Sequence, residues 1–171
     1  MRLFQAVDLL ARRLDVRPSR VKHIASRLQD SGHVSRVEGS RRFPTDISEH
    51  EFVALFLAVI GESGIGTATG TVGAFSTLVS ESGQRLNATL CELFFGPPRS
   101  VQHIIARQSP PGVSIIVDGH HTVFGADAVE HAAQQARIVP GPTLAAIAAE
   151  LHGFSPEQAD AAAAIMKIRN F

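Results

Sequence analysis

A chain of 171 residues, 44% apolar and 19% charged, has the mix of a folded protein, which excludes disorder and allows one compact domain or two small ones. A single cysteine, Cys91, excludes an intrachain disulfide, and no apolar run approaches the roughly 20 residues that a membrane-spanning helix needs. The net charge of zero hides an asymmetry: residues 1–45 hold ten basic side chains against four acidic ones, and the rest holds six against twelve.

That basic amino-terminal stretch points to a polyanionic partner. Its cations are arginines except for Lys22, and the planar guanidinium suits phosphate oxygens and guanine edges. The opening residues Met1-Arg2-Leu3-Phe4-Gln5 are followed by Asp8 and Arg12-Arg13 rather than by a signal-peptide core, so a cytoplasmic location is expected.

Leu3, Val7, Leu10, Ala11 and Leu14 recur at helical spacing and predict a first helix. Asp15-Val16-Arg17 interrupts it, and Pro18 suits the first turn of a second helix. Val21, Ile24, Ala25 and Leu28 form the buried stripe of that helix. Ser19, Arg20, Lys22, His23 and Arg27 are left outward, and Gly32 ends it. His33-Val34-Ser35-Arg36-Val37 and Arg41-Arg42-Phe43, separated by Glu38-Gly39-Ser40, read as a β-hairpin.

The stretch from Ala11 to Val21 resembles the helix-turn-helix signature: a small residue in the first helix, and an aliphatic anchor ten positions later. The family's usual turn glycine is replaced by Asp15, which can also take the left-handed conformation. With the hairpin after it, the unit resembles a winged helix-turn-helix. The resemblance implies a recognition helix in the major groove, with wing arginines on phosphates or in the flanking minor groove. The DNA-contacting residues it implies are Arg17, Ser19, Arg20, Lys22, His23 and Arg27, with Arg36, Arg41 and Arg42 on the wing.

Downstream, Ser48 and Glu51 form a capping box for a helix with Phe52, Leu55, Phe56, Val59 and Ile60 on one side. Gly61, Gly64, Gly66 and Gly70 predict a flexible connection. Val72, Phe75, Leu78 and Val79 then predict a helix, and Leu86, Leu90, Leu93 and Phe94 another, stopped by Gly96-Pro97-Pro98. Cys91 falls in that apolar stripe and reads as a buried, inert thiol. Residues 101–107, 113–117 and 120–124 predict a three-stranded meander, with Asp118-Gly119 as a tight turn. His103, His120 and His121 lie on it, but adjacent His120 and His121 point to opposite faces, so a metal site is not expected.

Helices are predicted from Ala126 to Ala136, Thr143 to His152 and Pro156 to Arg169. Ala149, Gly153 and Ala159 repeat the helix-turn-helix spacing, yet Glu157 and Asp160 would repel phosphate there. A helical hairpin for packing or for a protein partner is the expectation.

The predicted class is therefore mainly α with small β elements (α+β). Residues 1–46 form the winged helix-turn-helix, and residues 47–171 a helical middle, a meander and a helical hairpin that serve oligomerisation or a protein partner. No Gly-x-Ser-x-Gly, His-Glu-x-x-His or Walker sequence is present, so no enzyme, cofactor or membrane association is expected. The functional reading is a sequence-specific, nucleoid-associated double-stranded DNA-binding protein, a bacterial or phage transcriptional repressor acting as a homo-oligomer. By order of elements alone it is also similar to the small terminase subunits of tailed phages, which hold DNA for packaging. A non-enzymatic adaptor binding an acidic protein is the third reading.

Overall fold

In the computed structural model, which describes residues 1–36, 46–62, 66–127 and 134–169, the chain is an α+β protein. Among the described residues it forms seven helices and a four-stranded antiparallel sheet. It separates into two compact units, Met1–Gly73 and Ala74–Phe171. The division lies later than the composition break at residue 46, because the helix opened by the capping box packs with the two helices before it.

In the first unit, α1 (Leu3–Arg13) buries Ala6, Val7, Leu9, Leu10 and Ala11, and α2 (Pro18–Asp30) buries Val21, Ile24, Ala25 and Leu28, the four positions its periodicity marks. α3 (Glu49–Gly61) packs on both. Its dry surface is wider than the expected stripe: Val53, Leu57, Ala58 and Gly61 are buried as well, as in a helix apolar on every side. Gly61 thus closes α3 rather than opening a loop.

Two devices tie this unit together at its base. Ile47 N–H donates to Met1 O at 2.9 Å, and Arg2 bridges Asp46 in antiparallel register, so the chain returns beside its own start after residues 37–45. Glu51 accepts from the N–H of Ser48 at 2.8 Å and from the N–H of Ser35 at 2.6 Å. Its carboxylate therefore caps α3 and also holds the segment that leaves α2. That bond explains why residues 33–36 do not form the expected first wing strand. Val34 is buried, and the N–H of Ser35 goes to a carboxylate instead of a strand partner. Val37, Arg41, Arg42 and Phe43 of the predicted hairpin lie outside the described residues.

α4 (Ala68–Ser76) starts inside the glycine-rich stretch and stops before Leu78 and Val79. Val79 instead bridges Arg85. In the second unit α5 (Leu86–Phe95) buries Leu86, Leu90, Leu93 and Phe94, while Cys91 is only half-buried. The predicted meander forms as β1 (Val101–Gln108), β2 (Pro111–Val117) and β3 (His120–Gly125), with Asp118 and Gly119 both at positive φ in the turn.

The helix expected from Ala126 to Ala136 is corrected at both described ends. Residues 126–127 and 134–135 are not helical, and Ala136 opens β4 (Ala136–Pro140), which pairs with the free edge of β1 in sheet order β3-β2-β1-β4. Long-range pairing overrides alanine's helix preference here. Ile104, Ile115 and Val139 stand in register on the buried sheet face, against which α6 (Gly141–Leu151) packs. A Cβ on Gly141 would collide with the carbonyl of Val101, which accounts for glycine where β4 passes into α6. α7 (Pro156–Arg169) closes on α6 through Ala146, Ala159 and Ala163.

The Glu51 carboxyl feels desolvation, which alone would raise its pKa. Hydrogen bonds from Ser35 and Ser48 outweigh it and hold the pKa at about 2, below the usual 4.5. A lowered folded-state pKa stabilises the native state above pH 4.5, and that contribution is lost as pH falls from there towards 2. Glu51→Gln is expected to lower stability at neutral pH by about 1–2 kcal/mol and to flatten this acid limb, as read by urea melts between pH 2.5 and 7.

Candidate nucleic-acid interface

The geometry of α2 begins with the turn before it. Leu14 caps α1, Asp15 takes φ 50°, and the N–H of Val16 donates back to Ala11 O at 2.9 Å. This is the Schellman pattern, in which one left-handed residue lets a chain leave a helix at once. Arg17 then serves as N-cap at φ −52° and ψ 128°, without a side-chain cap, and Pro18 enters at N1. Asp15 thus performs the turn that its sequence position predicts for a glycine.

At 3.6 residues per turn, the dry stripe Val21, Ile24, Ala25 and Leu28 fixes what faces outward. Ser19, His23, Ser26 and Asp30 fall on the ridge opposite it. Arg20 and Arg27 lie on one flank, with Lys22 on the other, and all of these residues are exposed. Arg27 Nε donates to His23 Nε2 at 3.1 Å, joining ridge and flank. The structure therefore gathers Arg17, Ser19, Arg20, Lys22, His23 and Arg27 on and around one helix surface, as their spacing predicts.

The wing arginines are treated differently. Arg36 is paired with Asp30 at the end of α2, so it lies close to the ridge but beside a carboxylate. Arg41 and Arg42 lie outside the described residues.

Sequence reasoning missed what flanks α2 from beyond α3. Glu62 Oε2 sits 3.0 Å from Arg20 Nε. The Glu62 side chain is 4% exposed, against 50% for Arg20. A Cβ on Gly66 would lie 3.9 Å from Arg27 Nη1, so this segment also runs beside Arg27. Local pattern carries no sign of this, because residues 62 and 20 meet only through the packing of α3 on α2.

In the second unit, His103 and His121 sit on one sheet face on either side of Ile116, and His120 lies opposite Val117 on the other. Asp118 is engaged by Arg99 Nε at 2.8 Å and by the N–H of Ser100 at 3.0 Å. The Arg99 hydrogen bond holds the Asp118 carboxyl below its ordinary range. Among the described residues, no three His, Cys, Asp or Glu side chains are grouped to hold a metal ion, and no helix is long and apolar enough to cross a membrane.

Because Asp15 occupies a conformation that glycine adopts without strain, Asp15→Gly is expected to leave the melting temperature within a few degrees of the parent. Asp15→Val should destabilise by about 1–2 kcal/mol, the cost of forcing a β-branched residue to positive φ. Thermal unfolding of the two variants checks this. In comparisons with known proteins, no family model, no curated protein and no solved structure matches this chain.

Proposed function

We propose that this chain is a sequence-specific double-stranded DNA-binding protein, a transcriptional repressor of bacterial or phage type that acts as an oligomer. In this reading α1 and α2 form the helix-turn-helix, and α2 is the recognition helix. The second unit supplies self-association with a further copy, since paired half-sites multiply both affinity and specificity.

The observation that carries the reading is the division of α2 into two chemistries. Its apolar side is wholly buried, while Arg20, Lys22, His23 and Arg27 stand exposed with Arg17 and Ser19 at the N-terminus. Such a helix meets the two requirements of groove binding: cations that displace counterions from phosphates, and forked or short polar side chains that reach base edges. The open amino-terminal end adds the positive pole of the helix dipole. Arg36, beside the carboxyl end of α2, and Arg41 and Arg42 would hold the flanking backbone. The reading assigns the protein no catalytic step and no cofactor.

Binding of labelled random duplex, followed by fluorescence anisotropy across a salt series, tests the assignment. Replacing Arg20, Lys22 and Arg27 together by Ala is expected to weaken binding at least 100-fold. It should also reduce the slope of log affinity against log salt by about 2 to 3, one for each phosphate no longer neutralised. An isotherm identical to that of the parent would remove α2 from the interface.

A further inference from the structure

We propose that Glu62 is a positioning residue that presets Arg20 to read a guanine in the major groove, an inference that rests on the DNA-binding reading above. The ion pair is unequal. The carboxylate is sealed in the protein at 4% exposure, and the guanidinium it holds at 3.0 Å through Nε is half in solvent. Glu62 follows directly on the buried last turn of α3 (Val59, Ile60 and Gly61), and its own N–H donates to Ala58 O at 3.1 Å. The acid is therefore fixed to the core, and the arginine is oriented by it rather than the reverse.

A carboxylate beneath a DNA-binding helix works against bulk affinity, because it offsets a cation that would otherwise face phosphate. What it offers in return is geometry. A guanidinium has five N–H donors. With Nε engaged by Glu62, the two Nη groups remain as a planar fork. Guanine is the base whose major-groove edge presents two acceptors, O6 and N7, to such a fork; adenine offers one acceptor beside a donor, and thymine one acceptor. Arg20 is the third residue of α2, in the turn where recognition helices of this type reach base edges. A side chain already held in one orientation loses less freedom on binding than a free one.

Selection of bound sites from random duplexes tests this, using the full-length protein and the variants Arg20→Ala, Glu62→Gln and Glu62→Asp. The parent is expected to enrich a guanine at one position of each half-site, and Arg20→Ala to lose that preference and no other. Glu62→Gln should still bind duplex DNA while its preference for guanine at that position falls roughly tenfold. Glu62→Asp, which keeps the charge at shorter reach, should fall between, and stands in if Glu62→Gln fails to fold. A Glu62 variant that binds every duplex more tightly with the guanine preference intact would make the acid a mere counter-charge and overturn the proposal. So would a parent that binds without enriching a guanine that depends on Arg20, although DNA binding itself would stand. A parent that binds no duplex at all would instead remove the underlying reading, and this inference with it.

Discussion

Val21, Ile24, Ala25 and Leu28 have to be out of water, and the rest of the amino-terminal unit follows from where that places the other residues of α2. Burying each of the larger of these side chains contributes roughly 1.5–3 kcal/mol. Turning the helix by half a revolution would expose them and bury Ser19, His23, Ser26 and Asp30 from the opposite ridge, and an unpaired buried charge such as that of Asp30 costs several kcal/mol. Both effects have the same sign, so the register of α2 admits one solution. α1 and α3 provide the dry surface, and the left-handed Asp15 sets how α2 leaves α1. The exposure of the cations on the two flanks of α2 is a consequence of this burial, not an independent feature.

The acids of the unit show how short-range bonding reshapes a charge pattern. Residues 1–45 carry ten basic side chains against four acidic ones, but the whole unit, 1–73, carries ten against eight, so most of the contrast disappears. It survives locally because several acids are occupied near their own positions. Asp46 pairs with the amino terminus at 3.3 Å, Asp30 with Arg36, and Glu51 with the N–H groups of Ser35 and Ser48. Glu62 differs, being the acid that reaches the flank of α2 from another helix. Net charge over a segment therefore says less about its partner than which acids remain unanswered beside the cations.

What could be read from the sequence was what local chemistry decides. The stripe of α2, the Ser48–Glu51 capping box and the Asp118-Gly119 turn each depend on residues within one or two turns of chain, and each forms as its spacing implies. β4 was not legible, because Ala136-Arg137-Ile138-Val139-Pro140 becomes a strand by adding to the edge of β1, which lies far earlier in the chain. The missing strand at 33–36 was hidden for a related reason. Its strand-like pattern is genuine, but Glu51 takes the N–H of Ser35. The cationic residues of the candidate site were legible because burial of one side of a helix names the other. Glu62, which pairs with one of them, was not, since nothing local links position 62 to position 20.

The carboxyl-terminal hairpin shows why the turn cannot by itself assign function. Gly153 takes φ 90° after the cap of α6, and the N–H of Phe154 donates to Ala149 O at 3.1 Å, the bond that Val16 makes to Ala11 after α1. The backbone device is the same at both places, and each carries a small residue four positions before the left-handed one. What differs is the side-chain load. α7 meets α6 through Ala159 and Ala163, which allow close approach but offer little to a polyanion, and it exposes Glu157, Asp160 and Ile165. The same turn geometry thus presents cations on α2 and acidic and apolar groups on α7. The angle between two helices is a property of the turn, whereas the class of partner is decided by which side chains the packed stripe leaves facing out.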